Sequence, residues 1–140
     1  MNILKYTTLP LTQNVEIGLF FLRIVFGSLM ISHGFGKFEN LMMGKTGFLD
    51  PIGIGSTSSL VLVVFAEFFC AILLVIGLFS RVVLIPLIIT MIVAFFIFHG
   101  ADPLADKELS LTYLVVFIGL FITGPGRYSI DQLIHQNSKD

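Results

Sequence analysis

The chain has 140 residues, of which 56% are hydrophobic and 12% charged, with fifteen phenylalanines and a mean hydropathy of +0.98. Soluble domains carry roughly 25% charged residues, so this composition excludes an ordinary water-soluble fold and implies an integral membrane protein of one compact domain. A net charge of −1 leaves no electrostatic footprint for nucleic acid, and the single cysteine, Cys70, excludes an internal disulfide, a paired-thiol motif and a multi-cysteine metal site.

In chain order, the first fourteen residues are polar and mixed and lack the cationic start and cleavage site of a signal peptide, so the first apolar run is expected to be retained. Asn14 is the expected cap of that run. The stretch EIGLFFLRIVFGSLMISHGFGKF, Glu16 to Phe38, holds a cation, Arg23, amid apolar residues and predicts a helix over about 15–35, ending near His33-Gly34. At ~3.6 residues per turn Arg23, His33 and Lys37 share one side of it. Lys37 can snorkel to the interface, whereas Arg23 lies too deep. Residues 39–57 contain Gly44, Gly47, Pro51, Gly53 and Gly55 and read as a loop or surface-lying segment, a connector or a lid. A second span over about 58–80, capped by the Ser/Thr cluster at 56–59, carries Glu67 in its middle. A third, about 82–99, has Pro86 near its start and ends at His99-Gly100. The fourth, about 107–124, follows Asp106, places Glu108 in its first turn and stops at Gly124-Pro125-Gly126. The polar tail from Arg127 is expected at the interface.

The expected fold is all-α, a polytopic membrane four-helix bundle running up-down-up-down. That topology gathers His33, Lys37, His99, Asp102 and Glu108 at one membrane face. It also puts Arg23 and Glu67 at matched depths of roughly 14 Å, at ~1.5 Å per residue. Because an unpaired charge at the bilayer centre costs at least ~2.5 kcal/mol, Arg23 and Glu67 are expected to pair. The pair either fixes helix register or lines a cavity in which the guanidinium meets a carbonyl. His33 and His99 are either helix-end residues bonded to carbonyls or proton carriers. Glu108 answers the helix dipole or accepts their protons. Arg81 and Arg127, at the opposite face, read as interfacial anchors, and no metal site is expected.

One ordered series runs through these elements: Arg23, His33-Gly34 with Lys37, Ala66-Glu67, Gly77 with Arg81, Met91, His99, Glu108, Gly124-Pro125-Gly126, and Ser129 to Asp131. It resembles the DoxX family of small four-helix membrane proteins, over roughly residues 15–131. The resemblance implies quinone-linked redox biology, since members include a subunit of an archaeal thiosulfate:quinone oxidoreductase and bacterial proteins associated with quinone and catechol stress. It transfers no set of catalytic residues. The leading expectation is a redox component that binds a quinone, with no covalently bound cofactor, and acts with a membrane or soluble partner. Arg23 and Glu67 would lie in the cavity, and His33, Lys37, His99 and Glu108 would bind ligand or relay protons. The rivals are a non-enzymatic scaffold or assembly subunit and a small-molecule transporter, any of them compatible with a homo-oligomer. Lys5, Arg81, Arg127 and Lys139 outnumber Lys37, Lys45 and Lys107, which places both termini in the cytoplasm and the chain in the cell (inner) membrane.

Overall fold

The computed structural model describes residues 12–138, which are helical with no strand among them. The polar N-terminal stretch, and Lys5 and Lys139 of the charge count, lie outside the described residues. Five helices follow one another: α1 Thr12–Met42, α2 Ser56–Ile76, α3 Ser80–Phe98, α4 Leu104–Thr123 and α5 Ile130–Asn137. The first three are long and apolar enough to cross a membrane. Met30, Leu74, Leu84, Leu87, Tyr113 and Phe117 form the centre of the core, contributed by all four long helices. Large apolar side chains such as Phe21, Val82, Phe96 and Ile122 point outward, as lipid rather than water requires.

Helix α1 departs most from expectation. It does not end near residue 35 but continues to Met42, its 31 residues reaching about 46 Å at ~1.5 Å per residue. Asn14 accordingly sits inside the described helix rather than capping it. Gly34 looked like a stop and is instead a contact. A Cβ there would come within 2.6 Å of the Glu67 carbonyl, so only glycine lets the two backbones meet. The true stop is Gly44, at φ +70°, where Lys45 N–H bonds Asn40 O at 2.9 Å and Gly44 N–H bonds Leu41 O at 3.1 Å in a Schellman closure.

That extension reset the register. Helices α1 and α2 run antiparallel, with Gly34 against Glu67, Gly27 against Ala71 and Val75, and Arg23 against Gly77. Glu67 meeting Gly34 rather than Arg23 is a slide of eleven residues, about 16 Å at ~1.5 Å per residue, relative to the expected pairing. Arg23 therefore faces the end of α2. The remaining boundaries shift for identifiable reasons. The 56–59 cluster lies within the first turn of α2, whose cap residue is Gly55, and the Asp50 carboxylate ties the preceding loop to that turn by accepting Ile54 N–H at 2.9 Å, Gly55 N–H at 2.7 Å and Ser59 Oγ at 2.8 Å. Helix α2 ends at Gly77 rather than residue 80, and α3 starts at Ser80 because Asp131 accepts Phe79 N–H at 2.7 Å and Ser80 N–H at 2.8 Å. Helix α4 begins at Leu104, so Asp106 lies in its first turn rather than at its cap.

Two local irregularities had no signal in the composition. Phe65–Cys70 within α2 and Val93–Phe98 within α3 are π-helical, each widening its helix by an extra residue per turn. Glu67 lies in the first and His99 directly follows the second.

Candidate functional site

The residues of the ordered series separate into two clusters at opposite ends of α1. At one end, the Arg23 guanidinium, only 1% exposed, donates to the carbonyls of Pro125 and Tyr128 and lies 5.6 Å from the centre of the Phe20 ring. The expected Arg23–Glu67 pair does not form, because the register sets Arg23 beside Gly77 and the tail rather than beside Glu67. Gly77 is required there by both conformation and space. Its φ is +73°, and a Cβ would fall 2.6 Å from Ser129 Cβ and 3.0 Å from the guanidinium. Ser129 caps α5 and bonds Gly126 O at 2.7 Å, and Asp131 N–H bonds Gly77 O at 2.9 Å. Glu16 accepts Arg127 N–H at 2.5 Å. The expected anchors also lie here. Arg81 reaches Ile122 O at 3.4 Å, and the Arg127 residue is exposed. This cluster is a clamp that ties the tail to the bundle, and it lines neither of the two cavities described next.

At the other end, Lys37 and Glu67 form an ion pair, with the Glu67 side chain 7% and the Lys37 side chain 31% exposed. The π-turn in α2 and the glycine contact at position 34 bring the carboxylate to the ammonium. Two cavities meet at this pair. The larger, about 310 Å³, lies between α2 and α3 under the Phe48–Ile52 part of the connecting loop. Its walls are Leu62, Val63, Ile89 and Val93, and its polar groups are Ser59, Thr90, His99 and the ion pair. The smaller, about 160 Å³, lies between α1, α3 and α4 and is lined by His33, Asp106, Ser110 and Tyr113. Lys37, Glu67, Ala94 and His99 border both. His33 packs edge-on against the Tyr113 ring at 5.9 Å, and His99 Nδ1 lies 2.7 Å from the Asp102 carboxylate.

His33, Lys37, Glu67 and His99 are thus brought together as one group, with Glu67 exchanged for Arg23 as the deep partner. Glu108 is exposed and lines neither cavity, whereas Asp106, also exposed and two residues earlier in α4, borders the smaller one. Tyr113, Ser110, Asp106, Thr90 and the Phe48–Ile52 wall were missed. Tyr113 had a faint signal, a hydroxyl-tipped ring inside an apolar run, whereas the loop wall had none. The loop is held in place by the Asp50 bonds, and donation from Gly55 N–H, with help from Ser59 and Ile54, holds that carboxyl below the ordinary carboxylate range. Among the described residues no group of three or more His, Cys, Asp or Glu side chains is placed to hold a metal.

The DoxX family model matches residues 18–100, from the turn of α1 before Arg23 to the end of α3. The chain belongs to the DoxX family. A Haemophilus influenzae protein described as uncharacterized is 34% identical over 118 residues, 79% of this chain and 86% of its own length. No solved structure matches. Membership and three apolar helices of spanning length make this DoxX chain a multi-pass membrane protein with the lipid bilayer as its surroundings. The family match covers Arg23, Lys37, Glu67 and His99 but stops before α4 and the clamp segment from Gly124 to Asp131.

Proposed function

We propose that this DoxX protein is a four-span component of the cell membrane that holds the head group of a quinone for a redox partner. The observation that carries the reading is the larger cavity, apolar along its walls and bordered by the ionisable side chains of Lys37, Glu67 and His99. Its volume, about 310 Å³, falls at the lower end of the range for small-molecule sites, enough for a ring with its tail left between helices. Helix α4 serves as the fourth span in an up-down-up-down bundle, its charges Asp106, Lys107 and Glu108 confined to the first turns and Leu109–Thr123 uncharged.

The donor set fits such a ligand. The Lys37 ammonium supplies charge-assisted hydrogen bonds to a ring oxygen, a role previously expected of Arg23. The Glu67 carboxylate accepts a proton, and His99, oriented by Asp102, holds or releases one. A bound quinone supplies the two-electron, two-proton chemistry, and a partner protein supplies the electrons. The apolar walls keep water from the larger cavity's side of the Lys37–Glu67 pair, which strengthens its field on whatever binds there.

The test is purification in mild detergent from the native membrane, with mass spectrometry of the extracted lipids. The expected result is one quinone per chain, lost in Ala94→Phe, which fills the cavity, and in the Lys37→Met, Glu67→Gln double variant. A preparation with no quinone, but with a stoichiometric partner subunit, selects the scaffold instead. The Arg23 clamp favours that second reading for its own half of the molecule, where buried charge serves architecture alone.

A further inference from the structure

We propose that the smaller cavity is the water-side proton entrance to Glu67, so that this carboxylate exchanges protons with one aqueous face while it borders the apolar cavity on its other side. The inference rests on the quinone reading only for what the proton is used for. Three observations carry it.

The first is that the two cavities differ in lining but share a wall. The larger is bounded by Leu62, Val63, Ile89 and Val93, with side chains that face lipid, whereas the smaller presents His33, Asp106, Ser110 and Tyr113. Glu67, Lys37 and His99 are the only ionisable residues common to both. A group on a wall between an apolar and a polar compartment is where a proton can be delivered from water without hydrating the apolar side.

The second is that the smaller cavity reaches the surface at helix ends. Asp106 lies in the first turn of α4, and both it and His33 are exposed, while Tyr113, deeper on the same helix, is 3% exposed. Carboxylate and imidazole therefore lie on the exposed side of the cavity and the phenol on its buried side, each able to accept or donate a proton. The third is that Glu67, within the π-turn at Phe65–Cys70, is only 5% exposed and faces the cavities rather than lipid.

The charges facing Glu67 come from every packed helix: Lys37 and His33 from α1, His99 from α3 with Asp102 behind it, and Asp106 with Tyr113 from α4. When Glu67 takes a proton from water through this cavity, its charge is neutralised and the Lys37 ammonium is freed to donate elsewhere, including into the larger cavity. When the proton leaves, the ion pair closes again.

Infrared difference spectroscopy of the purified protein in nanodiscs, with no added ligand, tests this directly. The expected result is a protonated-carboxyl envelope that grows as pH falls and loses one component in Glu67→Gln. The exchange of that component from H2O to D2O slows several-fold in Asp106→Asn and Tyr113→Phe and is unchanged in Glu108→Gln, which alters a residue outside both cavities. In a Cys70→Ala background, Ser110→Cys reacts with a cationic, membrane-impermeant methanethiosulfonate and Val63→Cys does not. A carboxyl envelope that is the same in Glu67→Gln as in the wild type, or Ser110→Cys labelled no faster than Val63→Cys, overturns the proposal. A protein without quinone that still shows the Glu67 band sinks the quinone reading and leaves this one standing.

Discussion

At the Arg23 end the charged groups reach backbone, whereas at the Lys37 end they reach one another. The terminal nitrogens of Arg23 bind the carbonyls of Pro125 and Tyr128, and the oxygens of Asp131 bind the N–H groups that open α3. Lys37 and Glu67 bind each other and border two cavities, and the neighbouring His99 has an exposed carboxylate as its partner. The difference separates architecture from chemistry. Backbone groups cannot change protonation, so charges spent on them fix a structure. Side-chain pairs beside a cavity can exchange protons or partners.

The comparison breaks first at Arg23. Arg23→Ala strands two carbonyls and detaches the tail segment, and is expected to cost about 3–5 kcal/mol, read as a lowered midpoint in thermal unfolding in detergent. Arg23→Lys rescues little of it, because an ammonium cannot span both carbonyls as the guanidinium fork does. If Arg23→Ala leaves stability intact and removes a bound ligand, the two ends have been assigned the wrong roles.

A smaller loss is expected for Gly77→Ala, about 2–4 kcal/mol, from a positive φ and the 2.6 Å approach to Ser129 Cβ. Limited proteolysis of the tail beyond Thr123 should accelerate with it. At the open end the structural cost falls further. Lys37→Met should destabilise by about 1–2 kcal/mol by leaving Glu67 unpartnered, and adding Glu67→Gln should recover part of that loss. A double variant that is less stable than either single one would contradict the pairing.

The smallest effect concerns the loop that walls the larger cavity. The Asp50 carboxyl is held below its ordinary range by Gly55 N–H, so its contribution is fully present above the unfolded carboxylate pKa and is lost as pH falls through the lower folded value. Hydrogen-exchange protection at Gly55, taken relative to the intrinsic rate at each pH, should fall over that acidic window in the wild type and be reduced at all pH values in Asp50→Asn.

Much of the fold was legible because lipid imposes simple rules. Long apolar runs must be helical there, since no water is present to satisfy open backbone groups, and the breakers near residues 44, 77 and 124 do close helices. The gathering of His33, Lys37 and His99 at one end followed from connectivity alone. The error lay in Gly34, read as a helix end. A glycine that stops a helix and a glycine that lets two helices touch are the same letter, and only the neighbour at Glu67 tells them apart.

The amino-acid sequence by itself determined the solvent, the helical class and the identity of the buried charges, because those depend on composition and on runs of neighbours. Which charge meets which was decided by tertiary structure. A shift of about three helical turns between α1 and α2 gave Arg23 to the carbonyls of the tail and Glu67 to Lys37, with a π-turn in α2 at Glu67 and another in α3 just before His99. Pairing across helices depends on register, and register is set by close contacts between residues far apart in the chain.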